Sequence, residues 1–81
     1  MQPNVEQIHI AAVEQSLTAT QSQVVRAINA RPAADAADIA AEVENLHGVT
    51  VAPEAITRFR AEREQSRASA LLALRAAISR K

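Results

Sequence analysis

The most informative segment of the chain covers residues 38–60 and reads DIAAEVENLHGVTVAPEAITRFR. Its first half repeats apolar residues at the spacing of a helical stripe: Ile39, Val43 and Leu46. Gly48 then predicts the end of that helix, because glycine readily adopts the left-handed conformation found after a last helical turn. Residues 49–52 read as a short extended connection, and Pro53 suits the first turn of a second helix. The segment is therefore predicted to be two helices joined by a glycine-containing turn.

Apolar anchors on both sides of that turn are typical of a helix-turn-helix unit. The anchors are Ile39, Val43, Val51, Ile56 and Phe59. In such a unit the anchors hold the helices at a steep angle, which frees the N-terminal turn of the second helix to enter a major groove. We predict a helix-turn-helix-like unit over residues 35–61.

The segment resembles the helix-turn-helix modules of phage and bacterial DNA-binding proteins, and most of all the small terminase subunits of Mu-type phages. The residues in the matching places are Ile39, Ala40, Glu42, Val43, Gly48, Val49, Val51, Ile56, Arg58 and Phe59. The resemblance covers about 25 of the 81 residues, and the family's layout adds a long C-terminal helix. It implies an oligomer that recognises double-stranded DNA during genome packaging. The sequence departs from the pattern at Ala52, Pro53 and Glu54, where such modules more often carry Ser, Lys, Thr or Arg.

Helical signals continue on both sides of this unit, which predicts an all-α fold of three or four helices in a single domain, residues 1–81. Asn4 is the predicted N-cap of the N-terminal part, residues 4–31, which holds either one helix or two. Two capping-box patterns leave both choices open: Thr18 with Gln21, and Thr20 with Gln23. Pro32 ends this part, and Asp35 is the predicted N-cap of the next helix.

Between Pro53 and Ser79 the sequence contains no residue that would stop a helix. We therefore predict one C-terminal helix of about 26 residues, about 40 Å long, in which residues 62–81 extend beyond the helix-turn-helix-like unit. At about 100° per residue, one face of that helix begins apolar, becomes cationic and ends apolar. Its members are Ile56, Arg60, Arg63, Arg67, Leu71, Leu74 and Ile78. Leu71, Leu74 and Ile78 have the spacing of a coiled-coil seam, so they are predicted to join copies of the chain, with a core role in the same chain as the alternative.

Charge is divided between two parts of the chain. Residues 1–57 carry seven acids against two arginines, and residues 58–81 carry seven basic residues against two acids. A cationic end predicts an anionic partner: double-stranded DNA, an acidic protein, or the acids of residues 35–44 in a second copy. The residues predicted to contact DNA are Glu54, Thr57, Arg58, Arg60, Arg63 and Arg67.

Several classes of function are not expected from this sequence. The chain has no cysteine, which excludes disulfides, a thiolate nucleophile and a cysteine zinc site. His9 and His47 are its only histidines and lack the spacing of a metal motif, so neither a metal nor a cofactor is predicted. No catalytic motif, secretory signal or membrane-spanning stretch is recognised, so we expect a non-enzymatic cytoplasmic protein of a bacterium or its phage.

The sequence thus predicts an oligomeric DNA-binding protein of the helix-turn-helix type. The alternative is a helical structural or adaptor subunit that self-assembles or binds a protein partner, including a phage inhibitor of a host protein.

Overall fold

The structure is a computed structural model that describes the backbone of residues 5–80 and the side chains of residues 10–79. The predicted N-cap Asn4, the side chain of His9 and Lys81 lie outside the described residues. Within them the fold is all-α, as predicted, but it has five helices rather than three or four. The helices are α1 (Val5–Ser16), α2 (Ala19–Ala30), α3 (Ala36–His47), α4 (Pro53–Glu62) and α5 (Arg67–Ala77).

Two helices, and not one rod, occupy the N-terminal part. The break lies at Thr18, whose hydroxyl accepts a hydrogen bond from the backbone N–H of Gln21 at 3.1 Å. The Gln21 side chain accepts in return from the Thr18 N–H at 2.9 Å. This capping box satisfies donors that a new helix would otherwise leave unpaired, and it selects the first of the two predicted patterns.

Both ends of α3 lie where the sequence places them. Gly48 has φ 65° and donates its N–H to the Glu44 carbonyl at 3.1 Å, which is the predicted left-handed C-cap. Asp35 occupies the N-cap position, but its side chain makes no capping hydrogen bond. Pro53 begins α4, as predicted.

The predicted long C-terminal helix is wrong. Helix α4 ends at Glu62, and α5 begins at Arg67 after a short turn. Ser66 is the N-cap of α5, because its hydroxyl accepts a hydrogen bond from the backbone N–H of Ser69 at 3.3 Å. A straight helix would hold the apolar side of α5 away from the rest of the chain. Folding it back buries Leu71 and Leu74, each of which contributes about 1.5–3 kcal/mol, whereas interrupting a helix loses a few hydrogen bonds of about 1 kcal/mol each.

The core lies where α2, α3, α4 and α5 meet. Its fully buried large side chains are Val24, Ile28, Ile39, Val43, Val49, Ile56, Leu71 and Leu74. Leu46, predicted to continue the apolar stripe of α3, is 69% exposed instead. The reason is local: Gly48 turns the chain after His47, and Val49 takes the next buried position, with 2% exposure.

Two short strands close the fold. Strand β1 (Val49–Thr50) follows α3 directly, and β2 (Ser79–Arg80) follows α5. They pair antiparallel, with Val49 opposite Arg80 and Thr50 opposite Ser79. The connection between α3 and α4 is therefore tied by backbone hydrogen bonds to the segment after α5, which holds the position of α4.

Candidate nucleic-acid interface

Helices α3 and α4 form the predicted helix pair. All five predicted anchors are buried: Ile39, Val43, Val51, Ile56 and Phe59. The two helices contact each other directly, and β1 lies in the turn between them. Because the anchors occupy one side of α4, the opposite side is left facing solvent. We call this the outer face of α4; it consists of Glu54, Thr57, Arg58 and Ala61, all exposed.

The outer face contains one cation, and that cation is paired. The Nε of Arg58 donates to Glu62 Oε1 at 2.6 Å, one helical turn away. The hydrogen bond with Glu62, and then its charge, raise the pKa of Arg58 above its ordinary value. Thr57 donates its hydroxyl to the Pro53 carbonyl at 3.2 Å, and Glu54 is exposed. The face is thus polar, with hydrogen-bonding groups but no excess of positive charge.

Arg60 is turned away from the outer face and into the protein. Its two terminal nitrogens donate to the carbonyls of Ala34 at 2.6 Å and Arg31 at 3.0 Å, while its Nε has no partner. These carbonyls belong to the connection between α2 and α3, and the Arg31 carbonyl also accepts from the Ala34 N–H at 3.1 Å. Arg60 therefore joins this connection to α4.

Arg63 and Arg67 also have partners within the chain. Arg63 donates to Asn29 Oδ1 on α2 at 2.6 Å, and its guanidinium lies 5.9 Å from the centre of the Phe59 ring. Arg67 forms an ion pair with Glu14 on α1 at 3.0 Å. The arginines predicted to form one stripe on a long helix thus bond to three different places: Arg60 to the connection between α2 and α3, Arg63 to α2 and Arg67 to α1.

The six predicted DNA-contacting residues consequently do not form one surface. Glu54, Thr57 and Arg58 lie together on the outer face. At about 100° per residue, Arg63 lies on the opposite side of α4, where it lines a pocket together with Arg67. A single groove-reading and phosphate-contacting ridge is not present among the described residues.

Sequence reasoning missed Arg26, which is exposed on α2. Its side chain makes no hydrogen bond or ion pair with the described part of the chain. Arg26 lines a groove of about 260 Å³ between α1, α2 and α5, and Arg67 lines the same groove. A lone arginine in a neutral helix gives no signal of its own, because only the fold brings it next to another cation.

The residues predicted to join copies of the chain lie in or beside its own core. Leu71 and Leu74 are each 2% exposed, and Ile78 is half-buried against the same cluster. The core role that the sequence left open is therefore the one that the structure assigns to Leu71 and Leu74. For these two leucines to join copies of the chain, α5 would have to leave the core of its own chain.

Residues 5–80 contain no helix that is long and apolar enough to cross a membrane. Across the same part of the chain, no cluster of three His, Cys, Asp or Glu side chains could hold a metal ion. Comparison with known proteins found no match to this chain, whether among family models, curated proteins or solved structures.

Proposed function

We propose that this chain is a DNA-binding protein of the helix-turn-helix type, in which the outer face of α4 reads the major groove. The observation that supports it is the α3–α4 pair itself. Buried anchors and the left-handed Gly48 hold the two helices together, while Glu54, Thr57 and Arg58 remain exposed. A helix presented in this way matches the dimensions of the major groove of B-DNA.

The side chains of the outer face suit base recognition better than phosphate binding. Arg58, on leaving Glu62, can donate two hydrogen bonds to guanine O6 and N7. Glu54 can accept from cytosine N4, and Thr57 can pair with several bases. Since Arg60, Arg63 and Arg67 have partners within the chain, few phosphates are neutralised. With one to three such contacts, we expect log K to fall against log salt with a slope of only about −1 to −3.

The test is fluorescence anisotropy with short duplexes of random and selected sequence, at low and physiological salt and at protein concentrations too low for self-association. Arg58→Gln should weaken binding to the selected site at least about tenfold, because it removes a bidentate base contact. The matched control is Arg26→Gln, the same change on α2, which should leave binding unchanged. Equal losses in both variants, or no binding at low salt, would contradict base reading by α4.

A second candidate, a structural or adaptor subunit that binds protein, is favoured by a specific observation. Arg60, Arg63 and Arg67 bond to groups outside α4, and Arg58 is paired with Glu62 on a face that also carries Glu54. The proteins that bind nucleic acid most strongly present a basic patch or stripe instead. An oligomer that binds no duplex at low salt would support this candidate over DNA binding.

A further inference from the structure

An exposed leucine ends an acidic stripe on α3. Leu46 is 69% exposed and is the one large apolar side chain exposed among residues 10–79. Asp38, Glu42 and Leu46 follow one another at intervals of four, so they share a face of α3 about 12 Å long. Glu42 pairs with Arg31 at 3.0 Å, but the Asp38 side chain has no hydrogen bond or ion pair with any described residue. We call these three residues the α3 stripe.

The groove beside Arg26 has the complementary character. Its floor contains the apolar side chains of Leu17 from the connection after α1, Val25 of α2 and Leu71 of α5, and its rim contains Arg26 and Arg67. Along α2 it extends from Ser22 to Asn29, about 10 Å. None of the α3 stripe lines it, so the stripe of one copy does not occupy the groove of the same copy. We call this site the α2–α5 groove.

We propose that the α3 stripe of one copy docks into the α2–α5 groove of a second copy, with Leu46 on the apolar floor and Asp38 against Arg26. Three properties match: the lengths are about 12 Å and about 10 Å, the charges are opposite, and each site combines charged with apolar side chains. Neither Arg26 nor Asp38 has an ion pair with a side chain of residues 10–79, so the contact breaks none of the ion pairs described there.

A protein partner fits this groove better than a phosphate backbone. Glu14 lines the groove and already neutralises Arg67 at 3.0 Å, so among the described residues Arg26 is the one cation of the groove without an ion pair. An apolar floor offers nothing to a phosphate, whereas it can remove a leucine side chain from water. The proposal does not depend on DNA binding, because neither surface includes the outer face of α4.

The proposed contact joins two different surfaces, so it is head-to-tail. After the first contact one copy retains a free groove and the other retains a free stripe, so the pair can still add further copies. Such an interface closes into a ring where the rotation permits and otherwise extends as a filament. A twofold dimer, in which the same patch meets itself, is not expected from this contact.

The test is sedimentation velocity over a range of protein concentrations. The wild-type chain should associate beyond a dimer. Leu46→Glu, which blocks the stripe, and Arg26→Glu, which blocks the groove, should each weaken association at least about tenfold, because each places like charges or a buried charge at the contact. Arg58→Glu is the matched control; it reverses a charge outside both surfaces and should associate as the wild type does. Circular dichroism verifies that each variant is folded.

Mixing the two blocked variants gives the decisive result. The Leu46→Glu copy keeps a native groove, and the Arg26→Glu copy keeps a native stripe, so the mixture should form a 1:1 heterodimer that does not grow. A monomeric wild type at every concentration, a mixture that forms no heterodimer, or variants that assemble like the wild type would overturn the proposal. Because the DNA measurement uses dilute protein and a different face, failure of one proposal leaves the other standing.

Discussion

Arg58 and Arg60 are two residues apart on α4, yet they have opposite environments. The Arg58 side chain is 70% exposed and bonds to Glu62 on its own helix. Arg60 is half-buried and bonds to the carbonyls of Ala34 and Arg31, which are 26 and 29 residues away. One arginine is available to a partner, while the other holds the fold together. An arginine stripe in a sequence therefore does not by itself mark a binding surface.

The difference arises from the acceptors that each side chain can reach. Arg58 projects from the outer face, where the nearest carboxylate is one turn away. Arg60 projects toward the connection between α2 and α3, where backbone carbonyls lie beyond the last helical turn. The Arg31 carbonyl also accepts from the Ala34 N–H at 3.1 Å, so the half-buried Ala34 carbonyl is the one that depends most on the planar guanidinium of Arg60.

The largest expected effect concerns the apolar residues of α5, which lie inside the fold like Arg60. Leu71→Ala should lower the free energy of unfolding by about 3 kcal/mol, because it removes a buried side chain and leaves a cavity. Urea denaturation followed by circular dichroism measures this. Leu46→Ala is the matched control and should change stability little, since Leu46 is exposed. If Leu71→Ala instead leaves stability intact and abolishes association, α5 is a subunit seam after all.

Arg60→Ala tests the inner arginine directly. It should lower the free energy of unfolding by about 2 kcal/mol, because two backbone carbonyls lose a charged donor. Arg60→Lys should recover little of this, since an ammonium cannot reproduce the planar fork. The same denaturation curves for Arg58→Ala should match the wild type. If Arg58→Ala and Arg60→Ala lower the free energy of unfolding by similar amounts, Arg60 does not hold the fold together more than Arg58 does.

A smaller effect is expected at the turn that separates the two sets of arginines. Ser66→Ala should cost about 1 kcal/mol of stability, because the first turn of α5 loses its capping acceptor. Ser69→Ala is the control, since it keeps the backbone N–H that Ser66 caps and should cost clearly less. Thermal unfolding of the Ser66→Ala and Ser69→Ala variants measures the two stability changes. An effect confined to Ser69→Ala would mean that something other than this cap begins α5.

The smallest effect is expected for the exposed pair of Arg67 and Glu14. Arg67→Gln should cost less than about 1 kcal/mol, because both side chains are about half exposed and water screens the charges. A double-mutant cycle with Glu14→Gln isolates the pair, and high salt should reduce the coupling energy toward zero. A coupling energy as large as the stability lost in Arg60→Ala would mean that Arg67, like Arg60, holds the fold together.

The sequence by itself determined the features that depend on neighbours three or four residues apart. Gly48 and Pro53 were placed correctly, and each follows from local backbone geometry, so no distant residue is needed to predict it. The Thr18–Gln21 capping box was one of two patterns in a segment that the sequence left open as one helix or two.

The tertiary structure alone decided where the C-terminal region breaks and what its arginines contact. Ser66 carries no stronger stop signal than other serines, and α4 and α5 separate because the core gains Leu71 and Leu74. The partners of Arg60 and Arg63, and the exposure of Leu46, likewise depend on residues far away in the chain. Helical periodicity assigns residues to a face, but which faces are buried is set by packing between helices that lie far apart in sequence.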